Sequence, residues 1–284
     1  MEISNRDLFF KYKNKKYFND KIIYELLIFS NGFKDFTDLV INFDKNIKDY
    51  DLFIKLVDKI EKGIPYQYVL GYTFFSDMKL KVTNDTLIPR SETEELCLIT
   101  KKIIIENNIN HSLIADICSG SGCISLYFKK KFKDSKVIGI DNSIKALEIS
   151  RINSKNLNLD VNYILGNIID PLIESNIKVD VLLSNPPYVE NKDDIEEIVI
   201  NNEPINAIYS EDGTYFYEYI FKYHKSILND NFLLCFEINY DQEEKLTKLI
   251  NKYFDKEISY LFKKDSYNLT RFLFIYRGYK IWNF

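Results

Sequence analysis

From residue 113 onward the chain alternates short apolar runs with amphipathic stretches, and this constrains the fold more than any other feature. Residues 113–117, 136–141, 161–165, 179–184, 232–238 and 272–276 read as strands. Residues 122–132, 143–156, 215–228 and 242–253 read as helices. Strands separated by helices are joined by crossovers instead of tight turns, which gives a mostly parallel sheet covered on both faces.

The first seventy residues lack this alternation. Residues 19–30 place Ile22, Ile23, Leu26, Leu27 and Phe29 at helical spacing before the stop Asn31-Gly32. Residues 51–62 form a second amphipathic helix, after which Gly63 supplies a left-handed closing position. Two β-prone runs, 69–75 and 78–82, flank Ser76-Asp77 as a hairpin. The expected organisation is a helical domain over 1–68, a β-hairpin linker over 69–84 and an α/β domain over 85–284.

Charge narrows the class of partner. The chain carries 38 Lys and Arg against 42 Asp and Glu, a net charge of −4. Proteins that mainly grip a nucleic-acid backbone show a basic excess, because phosphate contacts dominate that affinity. No direct DNA binding is therefore expected. Cys97, Cys118, Cys123 and Cys235 include no pair at metal-ligand spacing, and His111 and His224 add no cluster, so no metal is expected. Residues 1–20 are polar and do not read as a signal peptide, and the apolar stretch 22–29 is too short to cross a bilayer. The reading is a cytoplasmic protein without a membrane segment, with a monomer as the default.

The first strand of the alternating region runs into Asp116-Ile117-Cys118-Ser119-Gly120-Ser121-Gly122 and then directly into a helix. Glycines at such a turn let the backbone bend sharply and approach a ligand closely. The next strand ends in Asp141, 21 positions after Gly120, where an acid can hold the two ribose hydroxyls of an adenosine cofactor. Ser125 stands where a dinucleotide fingerprint has its third glycine. The pattern is most compatible with S-adenosylmethionine, which has no pyrophosphate to cradle. A glycine turn and an acid that merely cap their elements remain the bland alternative.

After the strand 179–184 comes Asn185-Pro186-Pro187-Tyr188, at the carboxyl end of a strand where open α/β sheets bind ligands. An amide or exocyclic amino nitrogen is a poor nucleophile, because its lone pair is delocalised. Two acceptors that take both its hydrogens can hold it in line: the Asn185 side-chain oxygen and the Pro186 carbonyl. Pro187 restricts the backbone that aims that carbonyl, and Tyr188 offers a flat ring to stack on. Such fixed orientation can supply roughly 7–11 kcal/mol of a barrier.

These motifs, in this order, resemble the release-factor glutamine methyltransferases, the PrmC/HemK family, from about residue 60 to residue 276. Gly63-Ile64-Pro65 with Tyr68 and Gly71 is similar to the family's interdomain signature. Leu87-Ile88-Pro89-Arg90-Ser91-Glu92-Thr93-Glu94-Glu95-Leu96 resembles its Pro-Arg-x-(Asp/Glu)-Thr-Glu segment, which the resemblance implies lies beside the cofactor and substrate pocket. Glu203-Pro204, Asp212-Gly213, Phe236-Glu237-Ile238 and Tyr240-Asp241-Gln242 match further recurring segments. The resemblance implies a Rossmann-like class I methyltransferase with a seven-stranded sheet. It implies that the helical domain recognises a class-I peptide chain release factor, and that the glutamine of that partner's Gly-Gly-Gln loop is methylated on its side-chain nitrogen (N5). Asn185, Pro186, Pro187 and Tyr188, with Arg90, would hold the glutamine. Cys118, Ser119, Gly120, Ser121, Gly122, Asp141, Asn167, Ile168 and Asn185 would hold S-adenosylmethionine.

Some positions depart from the family pattern. Asn167 follows Gly166 where an acid commonly receives the adenine amino group, and Ile168 replaces a larger ring. Asp230-Asn231 stands for a Gly-Gly turn, both types tolerating the left-handed conformation. Asp265 and Arg271 keep their spacing but lose the residues between them. Rival readings are a DNA adenine-N6 or cytosine-N4 methyltransferase, which faces the same nitrogen chemistry, a ribosomal-protein glutamine methyltransferase, and a binding module without turnover. The intact Asn185-Pro186-Pro187-Tyr188 run argues against the last.

Overall fold

A computed structural model of the chain describes residues 3–109 and 112–281, so His111 lies outside the described residues. It divides into two compact units, Met1–Tyr72 and Thr73–Phe284.

The first unit is helical. Asn19 accepts the Ile22 amide at 2.9 Å to open helix Asp20–Asn31, and Gly32 closes it at φ 67°. Asp49 does the same for helix Tyr50–Glu61 through the Leu52 amide at 2.8 Å, and Gly63 takes φ 84° beyond it. The apolar faces of these helices and of Asn5–Tyr12 bury Leu8, Phe9, Ile23, Leu27, Phe53 and Val57 in one cluster. Burial of such faces, more than propensity, holds short helices together.

The hairpin consists of β1 (Tyr72–Phe75) and β2 (Met78–Lys81), turning through Ser76 at φ 52°. Its first strand starts later than the sequence reading of 69–75. Residues Tyr66–Leu70 instead form a short helix, opened by the Pro65 carbonyl and ended by Gly71 at φ 77°. Proline and glycine punctuation outweighs the β propensity of Val69 here.

The second unit carries the expected sheet. Its strands are β3 (Leu113–Ile117), β4 (Lys136–Asp141), β5 (Asn162–Leu165), β6 (Val179–Ser184), β7 (Leu228–Glu237), β8 (Ser259–Lys264) and β9 (Thr270–Arg277). They lie in the order β5-β4-β3-β6-β7-β9-β8. The first five pair in parallel, and β9 enters antiparallel between β7 and β8. The order reverses between β3 and β6, which opens a crevice at their carboxyl ends. One apolar cluster covers each face, one including Leu126, Tyr127 and Phe128, the other Tyr217, Phe221 and Leu246. This is the Rossmann-like α/β architecture that the sequence implied.

Four local features differ from the sequence reading or were missing from it. Helix Ser91–Glu106, absent from that reading, packs against β7. The helix expected over 215–228 breaks after Lys222, and its last residue already begins β7. Asp230 and Asn231 do not adopt the left-handed conformation but extend within β7, opposite a register shift between Val179 and Val181. β8, whose residues are half-exposed and show no clean alternation, supplies the seventh strand.

Leu182 lies fully buried in β6, between β3 and β7. Replacing it with Ala is expected to cost about 2–5 kcal/mol, because a central strand cannot close over the cavity left behind. A urea titration reads this; an unchanged midpoint would mean that the sheet centre does not carry the fold.

Candidate active site

The crevice at the strand ends holds two adjoining cavities. The larger, of about 220 Å³, is walled by Cys118, Gly120, Asp141, Asn167, Ile168 and Pro187 among others. The smaller, of about 90 Å³, is walled by Arg90, Pro186, Tyr188 and Glu237 among others. Leu87, Asn185 and Ala207 line both, and Asn185 is the polar side chain they share.

The wall of the larger cavity is built by a strand–turn–helix unit. Cys118 and Gly120 take φ 61° and 53°, bending the chain between β3 and helix Cys123–Lys131. Apart from its own chain neighbours, no atom lies within 4 Å of the point where a Gly120 side chain would start, so the turn leaves room beside it. A Cβ on Gly122, at φ 82°, would run into the hydroxyl of Tyr163, and one on Gly139 would meet the Tyr163 ring at 2.6 Å. The Asp141 carboxylate accepts the Gly120 amide at 2.8 Å and the Ser143 amide at 2.9 Å, one on each oxygen. Burial pushes its carboxyl up, and these amides oppose the shift. Each oxygen keeps a lone pair for a further donor. Ile168 sits in the left-handed region at φ 47°, a strained conformation for a β-branched side chain.

The smaller cavity is backed by a buried hydrogen-bonded group. The parallel register pairs Ser184 with Phe236, which puts Asn185, just past the end of β6, beside Glu237, the last residue of β7. Glu237, 2% exposed, accepts from Thr93 Oγ1 at 2.6 Å and from the Tyr188 hydroxyl at 3.0 Å. Asn185 Nδ2 donates to Thr93 Oγ1 at 2.9 Å. Burial raises the Glu237 carboxyl, while the two hydroxyls and the charge of Arg271 pull it down. Gln242 donates to the carbonyls of Gly213 at 3.0 Å and Tyr188 at 3.4 Å, holding the loop after β6.

The structure brings Cys118, Gly120, Asp141, Asn167, Ile168, Asn185 and Pro187 to the larger cavity, and Arg90, Asn185, Pro186 and Tyr188 to the smaller. Ser119, Ser121 and Gly122 do not line either one. Ser119 and Ser121 are buried, and Gly122 faces Tyr163. Arg90 forms a 2.6 Å ion pair with the nearly inaccessible Glu203, whose other oxygen accepts the Ile88 amide at 3.0 Å. That pair ties the segment before helix Ser91–Glu106 to the far rim of the site. Asp265 and Arg271, uncertain in role from sequence, form a staple: Asp265 accepts the Tyr267 and Leu269 amides and faces Arg271 Nε at 3.5 Å. Leu87 opens the segment expected beside the pocket and lines both cavities, whereas Asn84, Asp85, Thr86, Asn206 and Phe216 line the larger one without any sequence signal that singled them out. Thr93 and Glu237 stand in segments that resemble the family's, but the motifs give neither a role of its own. Only topology brings residues this distant in sequence together.

A central, parallel-sheeted crevice with an acid on one side and an Asn-Pro-Pro-Tyr loop on the other defines a methyltransferase, and comparison with known proteins agrees. The family model of the methyltransferase small domain matches residues 100–245. A methyltransferase from Pyrococcus furiosus superposes with a TM-score of 0.53 at 16% identity, over 77% of this chain and 98% of that one, a likeness of fold. Among curated relatives, the release factor glutamine methyltransferase of Mycoplasma mycoides is 33% identical over 224 residues, 76% of this chain and 79% of the relative. That of Bacillus subtilis is 30% identical over 236 residues, 81% and 82% of the two chains. This chain belongs to the release factor glutamine methyltransferase family. Among the described residues there is no metal-ligating cluster, and no helix is long and apolar enough to cross a membrane.

Asp116, at the end of β3, is fully buried; one oxygen accepts the Ser125 amide at 2.9 Å and the other has no partner among the described residues. Burial, with the Asp141 charge adding to it, pushes its carboxyl up to about 7. The folded chain then keeps a proton that the unfolded chain loses near the usual carboxylate value of about 4. Stability from the neutral form is fully present below about pH 4 and lost as the pH rises to about 7. Asp116→Asn removes this titration, so its urea midpoint should fall less than that of the unmodified chain across that interval. Parallel profiles would show that Asp116 does not titrate there.

Proposed function

We propose that this chain transfers a methyl group from S-adenosylmethionine to the side-chain amide nitrogen (N5) of the glutamine in the Gly-Gly-Gln loop of class-I peptide chain release factors. Family membership and the pairing of a large and a small cavity across Asn185 support this reading, and the shared wall carries it. The residues of the larger cavity suit the methyl donor. Asp141 has acceptor capacity left for two ribose hydroxyls, and the space beside Gly120 admits a ligand against the backbone. Asn167 offers an amide oxygen to an adenine amino group, and Ile168 an apolar surface to its ring.

When bound, S-adenosylmethionine supplies an electrophilic methyl on a sulfonium. The rest of the mechanism belongs to the chain. Asn185 Oδ1 and the Pro186 carbonyl accept the two hydrogens of the glutamine amide and turn its lone pair toward the larger cavity. Pro187 restricts the backbone that aims the Pro186 carbonyl. Tyr188, its hydroxyl tied to Glu237, gives the planar amide a fixed ring to lie against. No strong base is required before attack, since the nitrogen becomes acidic only as it is methylated and then gives up one of its two hydrogens to solvent. Catalysis rests on orientation, which can be worth roughly 7–11 kcal/mol. The smaller cavity, about 90 Å³ against 220 Å³, suits a slender carboxamide better than a flipped base.

We propose that the helical domain (1–68) recognises the partner, with 69–84 as the linker and 85–284 as the catalytic domain. We assign the enzyme to the cytoplasm, where release factors act and where four unpaired cysteines are at home. One chain carries every residue that the reading uses, so the reading requires no second copy, and we propose a monomer.

The test is methyl transfer from labelled S-adenosylmethionine to a purified class-I release factor. Label should enter the intact factor, not one whose loop glutamine is replaced and not duplex DNA. Asn185→Ala should lower the rate by about 10²-fold or more while the methyl donor still binds. Label on DNA, or an Asn185→Ala enzyme of full activity, would overturn the reading.

A further inference from the structure

The two ends of the Asn185 amide have the same shape, so packing cannot decide which one faces the cavities. Only the polarity of its hydrogen bonds can. That polarity is set behind the residue. The Glu237 carboxylate receives two hydroxyl donors, Thr93 at 2.6 Å and Tyr188 at 3.0 Å. Thr93 has a single hydroxyl proton, and it is engaged with Glu237. Its oxygen has only lone pairs left, and only the Nδ2 end of Asn185 can satisfy them, at 2.9 Å. The Oδ1 end is turned away from Thr93, and among the described residues nothing donates to it. A reversed amide would set Oδ1 against the lone pairs of Thr93 and leave a buried hydroxyl without a donor.

We propose that Thr93 is a positioning residue, polarised by Glu237, that fixes the amide of Asn185 as an acceptor at the junction of the two cavities. This rests on the reading of Asn185 as the group that receives the substrate N–H. Thr93 lines neither cavity and is 2% exposed, so it acts wholly through its neighbours. Three separate elements carry the relay: Thr93 on the first turn of helix Ser91–Glu106, Glu237 at the end of β7 and Asn185 just after β6. An orienting bond of this kind changes the rate of the chemical step and leaves binding of the methyl donor alone.

The experiment compares the unmodified chain with Thr93→Val, which keeps the shape and removes the hydroxyl, and Thr93→Ser, which keeps the hydroxyl. Methyl transfer to the release factor is measured beside the NMR signal of the Asn185 side-chain amide, identified by its absence in Asn185→Ala. Thr93→Val should lower kcat by about 10²-fold with an unchanged KM for the methyl donor, and should shift the amide signal. Thr93→Ser should restore both. In an Asn185→Ala background Thr93→Val should cost nothing further, since it acts through that residue. Unchanged kcat in Thr93→Val, or an equal loss in both backgrounds, would overturn the proposal. If the unmodified chain labels no release factor, the functional reading fails on its own. The amide signal then decides: a shift in Thr93→Val supports the relay, and no shift overturns it. Should Thr93→Val fail to fold, Glu237→Gln serves instead. Its amide can donate to Thr93, and it should move the same signal and lower kcat; no change in either would overturn the proposal.

Discussion

The parallel pairing of β6 with β3 on one side and β7 on the other sets everything at the crevice. β6 aligns Ser184 with Ile117 across one edge and with Phe236 across the other. Because strands in register end together, the glycine turn after β3, the Asn-Pro-Pro-Tyr loop after β6 and Glu237 of β7 emerge at one level. Ser184 Oγ also donates to the Ile117 carbonyl at 2.7 Å, tying the first two of these ends together. A slip of one residue in β6 would turn Val181 and Leu183 onto the wrong face and carry Asn185 away from Thr93. The large buried side chains on both faces of the sheet make such a slip costly, so core packing and site geometry are one constraint.

Around this frame the molecule places polar groups where water is excluded, and the buried glutamates beside the crevice are answered by specific partners. Glu203 is answered by Arg90 and the Ile88 amide, and Glu237 by two hydroxyls. Removing one partner of such a group leaves a buried charge uncompensated. These contacts therefore hold loops that no strand or long helix would otherwise fix. In the proposed reaction, which relies on orientation instead of a base, rigidity of this kind is the catalytic resource.

The sheet was largely legible in the sequence because its strands are short, apolar and bounded by glycine, proline or acid. β3, β4 and β6 begin and end where the apolar runs do. β8 was illegible because its half-exposed residues show neither alternation nor an unbroken apolar run. Helix Ser91–Glu106 was hidden by charged residues in its first turn and a weakly segregated apolar face. At the site, Asp141 and Asn185 announce themselves by spacing and by an unusual residue run. Thr93 and Glu237 do not: a buried threonine on a helix and a glutamate at a strand end are ordinary until a contact 144 residues apart joins them. Ser119 and Ser121 show the reverse, since membership in the glycine-rich turn does not put every side chain on the cavity wall.

The central claim is that one amide, Asn185, divides a methyl-donor cavity from a substrate cavity. The most direct measurement is a crystal structure of the chain with S-adenosylhomocysteine and a peptide containing Gly-Gly-Gln. The account predicts the nucleoside in the larger cavity with its ribose on Asp141, and the glutamine amide in the smaller one with its nitrogen on Asn185 Oδ1. A glutamine bound outside the smaller cavity, or an Asn185 amide presenting its nitrogen to the ligand, would contradict it.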